Sequence, residues 1–107
     1  MDDRRAQRLA LNETIFRKAN EDMRTVGDRL QYDFQAFVCE CADINCDENV
    51  PLPLERYREV RASPSMFFIL PGHENPELEQ IVDREEGFSI IEKTGPGRDV
   101  AERDPLR

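Results

Sequence analysis

Apolar side chains recur at Leu11, Ile15, Ala19, Met23, Val26 and Leu30, in steps of four, four, four, three and four. That spacing draws one stripe along a helix, with a charged face opposite it. It predicts an N-terminal amphipathic helix over residues 1–33. Asn12 is one candidate cap, and a start near Asp2 is another. Glu13 and Arg17 stand four apart, acid before base, a surface pair worth about 0.3 kcal/mol. Gly27 weakens the last turn. So narrow a stripe serves either to dock on the rest of the chain or to pair with another copy or another protein.

The period then shortens to two. FQAFVCEC, residues 34–41, reads as a strand with Phe37, Cys39 and Cys41 on one face and Val38 and Glu40 on the other. A turn-rich loop, ADINCDEN, leads to a short strand at Val50-Pro-Leu. Pro53 suits a first helical position, and Leu54, Tyr57 and Val60 continue a short helix to about Ala62, ended by Ser63-Pro64. MFFIL, residues 66–70, is apolar on both faces and predicts a central strand; pairing beside FVCEC would bring His73 to the cysteines. Pro71-Gly72 turns the chain into His73. Residues 79–85 and 88–93 flank Glu86-Gly87 and predict a hairpin. The remainder, GPGRDVAERDPLR, is rich in Gly, Pro and charge and predicts a mobile tail over residues 95–107. The expected architecture is α+β: a long N-terminal helix, then a small, mostly antiparallel sheet with one short helix in a domain over residues 34–94. Phe67, Phe68, Ile69, Phe88, Ile90 and Ile91 are core candidates. Tyr57 and Arg61 predict a surface packing contact.

Composition narrows this picture. The chain has 107 residues, 38% hydrophobic and 36% charged, without Trp. A foldable unit of roughly 60 residues is marginal without a staple. Net charge is −8, and it is uneven: residues 1–33 hold seven acids and seven bases, residues 34–107 sixteen acids and eight bases. An acidic domain repels phosphate backbones, which disfavours nucleic-acid binding. Arg4, Arg5 and Arg8 beside Asp2 and Asp3 read as a solvated helix start. There is no signal-peptide pattern and no apolar run of membrane-spanning length. With three cysteines, an odd number, the chain is expected to be soluble and cytoplasmic, its thiols reduced.

All three cysteines, Cys39, Cys41 and Cys46, fall within eight residues, and the chain has one histidine, His73. Tetrahedral zinc takes four ligands from thiolate and imidazole. Cys39 and Cys41 point to one side of a strand, a tight loop can return Cys46, and His73 projects from the Pro-Gly turn. These four are the expected metal ligands. Asp43, Asp47, Glu48, Glu74 or water are the rivals for the fourth place. The alternatives are cysteines buried as small hydrophobes and a redox pair, which the acids Glu40, Asp43, Asp47 and Glu48 disfavour by raising thiol pKa. Three thiolates and one imidazole close the site, so the expected role is structural. An enzyme with an open metal position and Glu74 as general base is the second reading. A nucleic-acid-binding zinc module is a distant third.

The run F-V-C-E-C-x4-C, then V-P-L-x-L-E-x-Y, then V-R and P-G-H, resembles a group of small actinobacterial proteins. The resemblance extends from about Asn12 to Glu92 and includes the opening N-E-x-x-F-R-x-x-N-E. It implies that Cys39, Cys41, Cys46 and His73 act as one set, and it implies no particular activity. The expectation is therefore a small zinc module that binds a protein partner, or self-associates, through its N-terminal helix.

Overall fold

The computed structural model describes residues 3–103. Residues 1–2 and 104–107 lie outside the described residues, and with them the expected helix start near Asp2; so does the side chain of Arg5. Along the chain run helix α1 (Asp3–Arg29), strands β1 (Phe34–Val38) and β2 (Asn49–Pro53), helix α2 (Leu54–Arg61), strands β3 (Met66–Ile69), β4 (Glu79–Glu85) and β5 (Phe88–Lys93), and helix α3 (Pro96–Arg103). The class is α+β, as expected.

Two small antiparallel sheets form. In the first, β1 pairs with β2, from Phe34 opposite Pro53 to Val38 opposite Asn49. Val50 and Leu52 point inward while Pro51 and Pro53 face solvent, the alternation an edge strand with prolines requires. In the second, the strand order is β3-β5-β4. The central strand is thus β5, FSIIEK, and MFFI lies at an edge instead of in the middle. Apolar residues cover both faces of β3 because helices and the first sheet pack on it, which the sequence pattern alone does not separate from a central position. β3 also does not pair with β1. It receives one backbone hydrogen bond from the segment just beyond β1, Glu40 N–H to Phe68 O at 3.0 Å.

The core gathers where the two sheets meet. Phe37 stacks on Tyr57 with ring centroids 4.4 Å apart, and Phe68 meets both edge-on. Phe67, Ile69, Phe88, Ile90 and Ile91 are buried around them, as the sequence predicts. α2 begins at Leu54, with Pro53 (φ −60°, ψ 141°) as its extended N-cap and not its first helical residue, and it buries Leu54, Tyr57 and Val60. Tyr57 and Arg61 are not a surface contact: the ring is fully buried and the Arg61 side chain is only 8% exposed.

Of the two roles open to the α1 stripe, docking on the rest of the chain is not the one it takes. The apolar stripe of α1 faces outward: Leu11, Ile15 and Val26 are each about half exposed, as is Leu30 in the turn just past the helix, and only Met23 of the larger ones packs on the core. The inward face is polar, with Glu13, Arg17 and Asn20 fully buried. Each meets a matching group. The Lys93 ammonium contacts both Glu13 and Glu79. Arg17 donates to Pro64 O (2.6 Å) and Ala101 O (2.8 Å) and lies over the Phe67 ring. Glu13 and Arg17 are therefore buried anchors, not a surface pair. Gly27, at the end of this face, lets α1 approach Leu54 and Gln35 where a Cβ would collide. The mobile tail expected over residues 95–107 is not what its described part shows. Residues Pro96–Arg103 form α3, which packs on α1 and buries Ala101 completely.

Candidate metal centre

β1 ends at Val38, and the chain runs on through Cys39, Glu40 and Cys41 to a bend at Ala42. The hairpin register carries on one step further, with Cys39 N–H donating to Glu48 O at 3.0 Å. Successive side chains therefore alternate. Cys39 and Cys41 turn to one side. Val38, Glu40 and Ala42 turn to the other, toward α1. On that side Asn20 acts as a substitute strand neighbour for Val38: its Oδ1 accepts the Val38 N–H (2.7 Å) and its Nδ2 donates to Val38 O (2.8 Å). Asn20 Nδ2 also donates to Glu40 Oε2 at 2.9 Å, and Asn12 Nδ2 to Ala42 O at 3.3 Å.

The loop then folds back. Asp43 Oδ1 accepts the Asn45 N–H at 2.9 Å, a side-chain-closed turn, and Asp43 O accepts the Cys46 N–H at 3.0 Å. This returns the third sulfur to the first two. His73 arrives from the end of β3 on a turn, Leu70-Pro71-Gly72-His73, closed by His73 N–H to Leu70 O at 3.1 Å. Gly72 has φ +88°. Proline then glycine at the two central positions is the chemistry of a type II turn. Leu70 N–H in turn points at Cys39 Sγ, 3.3 Å away.

One ligand atom from each of Cys39, Cys41, Cys46 and His73 lies within 4.8 Å of the others, a set that can hold a metal ion. His73 Nδ1 is 3.7 Å from both Cys39 Sγ and Cys46 Sγ. An ideal tetrahedron with ordinary zinc–sulfur and zinc–nitrogen bonds has S···N edges of about 3.6 Å. The edges from His73 to Cys39 and Cys46 are thus close to the spacing that a tetrahedral ion needs. All three cysteines are free, Cys39 and Cys41 buried and Cys46 partly exposed. His73 Nε2, on the far side of its ring, is 3.2 Å from Glu48.

Without a metal the thiols share protons unevenly. Hydrogen bonding from the Cys39 thiol is the main cause that lowers Cys41 to about 5, with a hydrogen bond to His73 also contributing. Cys39 is pushed up by that same bond and by burial, and Cys46 is pushed up by burial first. The acids of the loop predict a general rise, and Cys41 departs from it because of its hydrogen bonds with Cys39 and His73. Glu40, the acid between the two cysteines, points to the opposite side.

Of the rival fourth ligands, Glu48 reaches the histidine ring instead of the sulfur cluster. Glu74 accepts the Gly72 N–H at 3.2 Å, so it closes the turn that carries His73. It also lines a cleft of about 390 Å³ with His73, Asp43, Asn75 and Leu9.

The sequence reading misses the groups that hold this segment from behind. Glu40 is fully buried. Its Oε1 accepts from Arg61 Nη2 (2.7 Å) and from Phe68 N–H (3.3 Å), and its Oε2 from Asn20. Arg61 lies over the rings of Tyr57, Phe68 and Phe67 at 5.0, 5.6 and 5.8 Å. A signal exists for part of this: Glu13, Arg17, Asn20, Arg24 and Gly27 recur in steps of four, three, four and three, a polar stripe as regular as the apolar one. No known family model, curated protein or solved structure matches the chain.

Proposed function

We propose that the chain is a small zinc-stapled module, with Cys39, Cys41, Cys46 and His73 holding one zinc ion in a structural role, and that the outward face of α1 meets a protein partner. The observation that carries the metal reading is the convergence of every cysteine and the sole histidine of the chain within 4.8 Å. Three thiolates and an imidazole suit zinc in preference to harder, oxygen-seeking ions. With a neutral imidazole the site carries net charge −1 and leaves no position for a water nucleophile. That supports a staple over a catalyst. Three free thiols in one loop fit a reducing compartment such as the cytoplasm. No helix among the described residues is long and apolar enough to cross a membrane.

The partner reading rests on Leu11, Ile15, Val26 and Leu30, which the fold leaves half exposed along one helix. A self-associating chain and a chain that binds a different protein both use such a face.

Metal analysis of the purified protein tests the first part, with about one zinc per chain expected and a marked fall in melting temperature on chelation. A metal-free chain that melts the same with and without chelator sinks the staple. For the second part, removing α1 is a poor test, because the helix supplies Glu13, Arg17 and Asn20 to the interior. The double variant Leu11→Glu, Ile15→Lys keeps that interior. Light scattering on the wild type and this variant, alone and with any captured partner, reads the effect. Loss of association is expected; association that survives the variant places the contact elsewhere.

A further inference from the structure

We propose that Glu48 is a positioning residue of the metal centre: its carboxylate accepts the Nε2 proton of His73 and so aims Nδ1 at the ion. The proposal rests on the metal reading above and gives one acid beside the cluster a defined task.

The backbone brings it there. Cys39 N–H donates to Glu48 O, which makes Cys39 and Glu48 facing neighbours at the end of the β1–β2 hairpin. Neighbours across a hairpin share a face. The His73 ring stands between their side chains. Its Nδ1 is 3.7 Å from Cys39 Sγ and from Cys46 Sγ, and its Nε2 is 3.2 Å from Glu48. An imidazole that binds a metal through one nitrogen is neutral and carries its proton on the other. With Nδ1 turned into the sulfur cluster, the proton belongs on Nε2, where a carboxylate stands to receive it. Metal-bound histidines are commonly oriented through a hydrogen bond of this kind from the second nitrogen.

The task suits the place. Glu48 is 58% exposed in its side chain, so as a bare surface ion pair it would count for little. His73 comes from a different element, the turn after β3, and nothing in that turn fixes the angle of its ring. The hairpin supplies the missing constraint. It delivers a sulfur to one ring nitrogen and a carboxylate to the other. The same contact explains why Glu48 is not itself a ligand: its side chain is spent on the far side of the ring.

The test compares full-length wild type, Glu48→Ala and Glu48→Gln by chelator competition for Zn2+. Glu48→Ala should lose about 10- to 100-fold in affinity. Glu48→Gln, whose amide oxygen still accepts the proton, should retain most of it. Loading with an NMR-active cadmium isotope and labelled histidine adds a readout that a general loss of stability does not move. The wild type should show coupling from the metal to Nδ1 and a slowly exchanging Nε2 proton, and Glu48→Ala should lose the slow exchange. Coupling to Nε2 in the wild type overturns the proposal, as does an alanine variant that matches the wild type in affinity and proton exchange. A wild type that takes up no Zn2+ overturns the metal centre itself, an outcome distinct from failure of the Glu48 role alone.

Discussion

Glu40 stands between two of the clustered cysteines, yet its carboxylate is fully buried on the opposite side of the chain, against Arg61 and Asn20. Among the described residues no acceptor meets Arg61 Nε or Nη1, and the guanidinium lies over aromatic rings. The pair is therefore tightly interdependent. Removing one buried partner strands the other's charge, which costs about 3–5 kcal/mol. Glu40→Ala should lose that much in urea unfolding of the metal-loaded protein. Glu40→Gln keeps an acceptor for Arg61 and should lose less. Equal, small losses in both variants would show that the pair contributes little. The cysteines and His73 were legible in the sequence because soft donors are rare in this chain and stand out by type. Glu40, Arg61 and Asn20 were not, because a charged or amide side chain carries no mark that tells burial from exposure. Only the partner does, and the partner is distant in sequence.

At the scale of elements, periodicity fixed the extents well. α1, α2 and the β4–β5 hairpin fall close to their expected bounds, since each rests on local spacing and on turn residues such as Gly87, with φ +87°. Orientation was a different matter. An apolar stripe predicts the buried face only where the surface beneath is apolar, and under α1 that surface offers Lys93, Glu79 and backbone carbonyls. Two carboxylates, Glu13 from α1 and Glu79 from β4, share the single ammonium of Lys93 from β5. Burial, and then the charge of Glu79, hold the Glu13 carboxyl well above its ordinary value of 4.5, against the opposing pull of Lys93. In the window above 4.5 the folded protein keeps a proton that the unfolded chain has released. Unfolding then releases a proton, so this group's contribution to stability falls as pH rises through the window. Glu13→Gln, which is neutral throughout, should flatten the decline and leave the protein at least as stable as wild type at the upper end. Denaturant midpoints at a series of pH values from 5 to 8, above the ordinary glutamate range, check it. A wild-type midpoint that rises with pH, and rises as steeply in the variant, would remove Glu13 as the cause.

Across the whole molecule, the Cys3His cluster and α1 grip the same short segment from opposite sides. Cys39 and Cys41 face His73 and the candidate metal site; Val38, Glu40 and Ala42 face Asn20 and Asn12. A helix held by hydrogen bonds to backbone groups depends on those groups staying in place. Chelation should therefore loosen α1 as well as the cysteine loop. Hydrogen exchange with and without chelator should show amides near Asn12 and Asn20 losing protection together with those of residues 39–46. Protection of α1 that is indifferent to chelator would uncouple the two. The expected tail became α3 for a related reason: Arg17, buried, needs acceptors, and Ala101 O supplies one. Local composition says nothing of that demand.

The strict alternation along residues 38–42 also bears on which changes in chain length the protein tolerates. Loops absorb an extra residue by bulging. This segment has no such freedom, because adding or deleting one residue between Phe37 and Cys41 would exchange its two faces. The carboxylate of Glu40 would then be presented to the sulfur cluster, and a thiol to Arg61. Insertions should be tolerated at the Glu86-Gly87 tip, whose residues are exposed, and should be lethal to the fold here. The spacing C-x-C is thus a statement about parity as much as about distance.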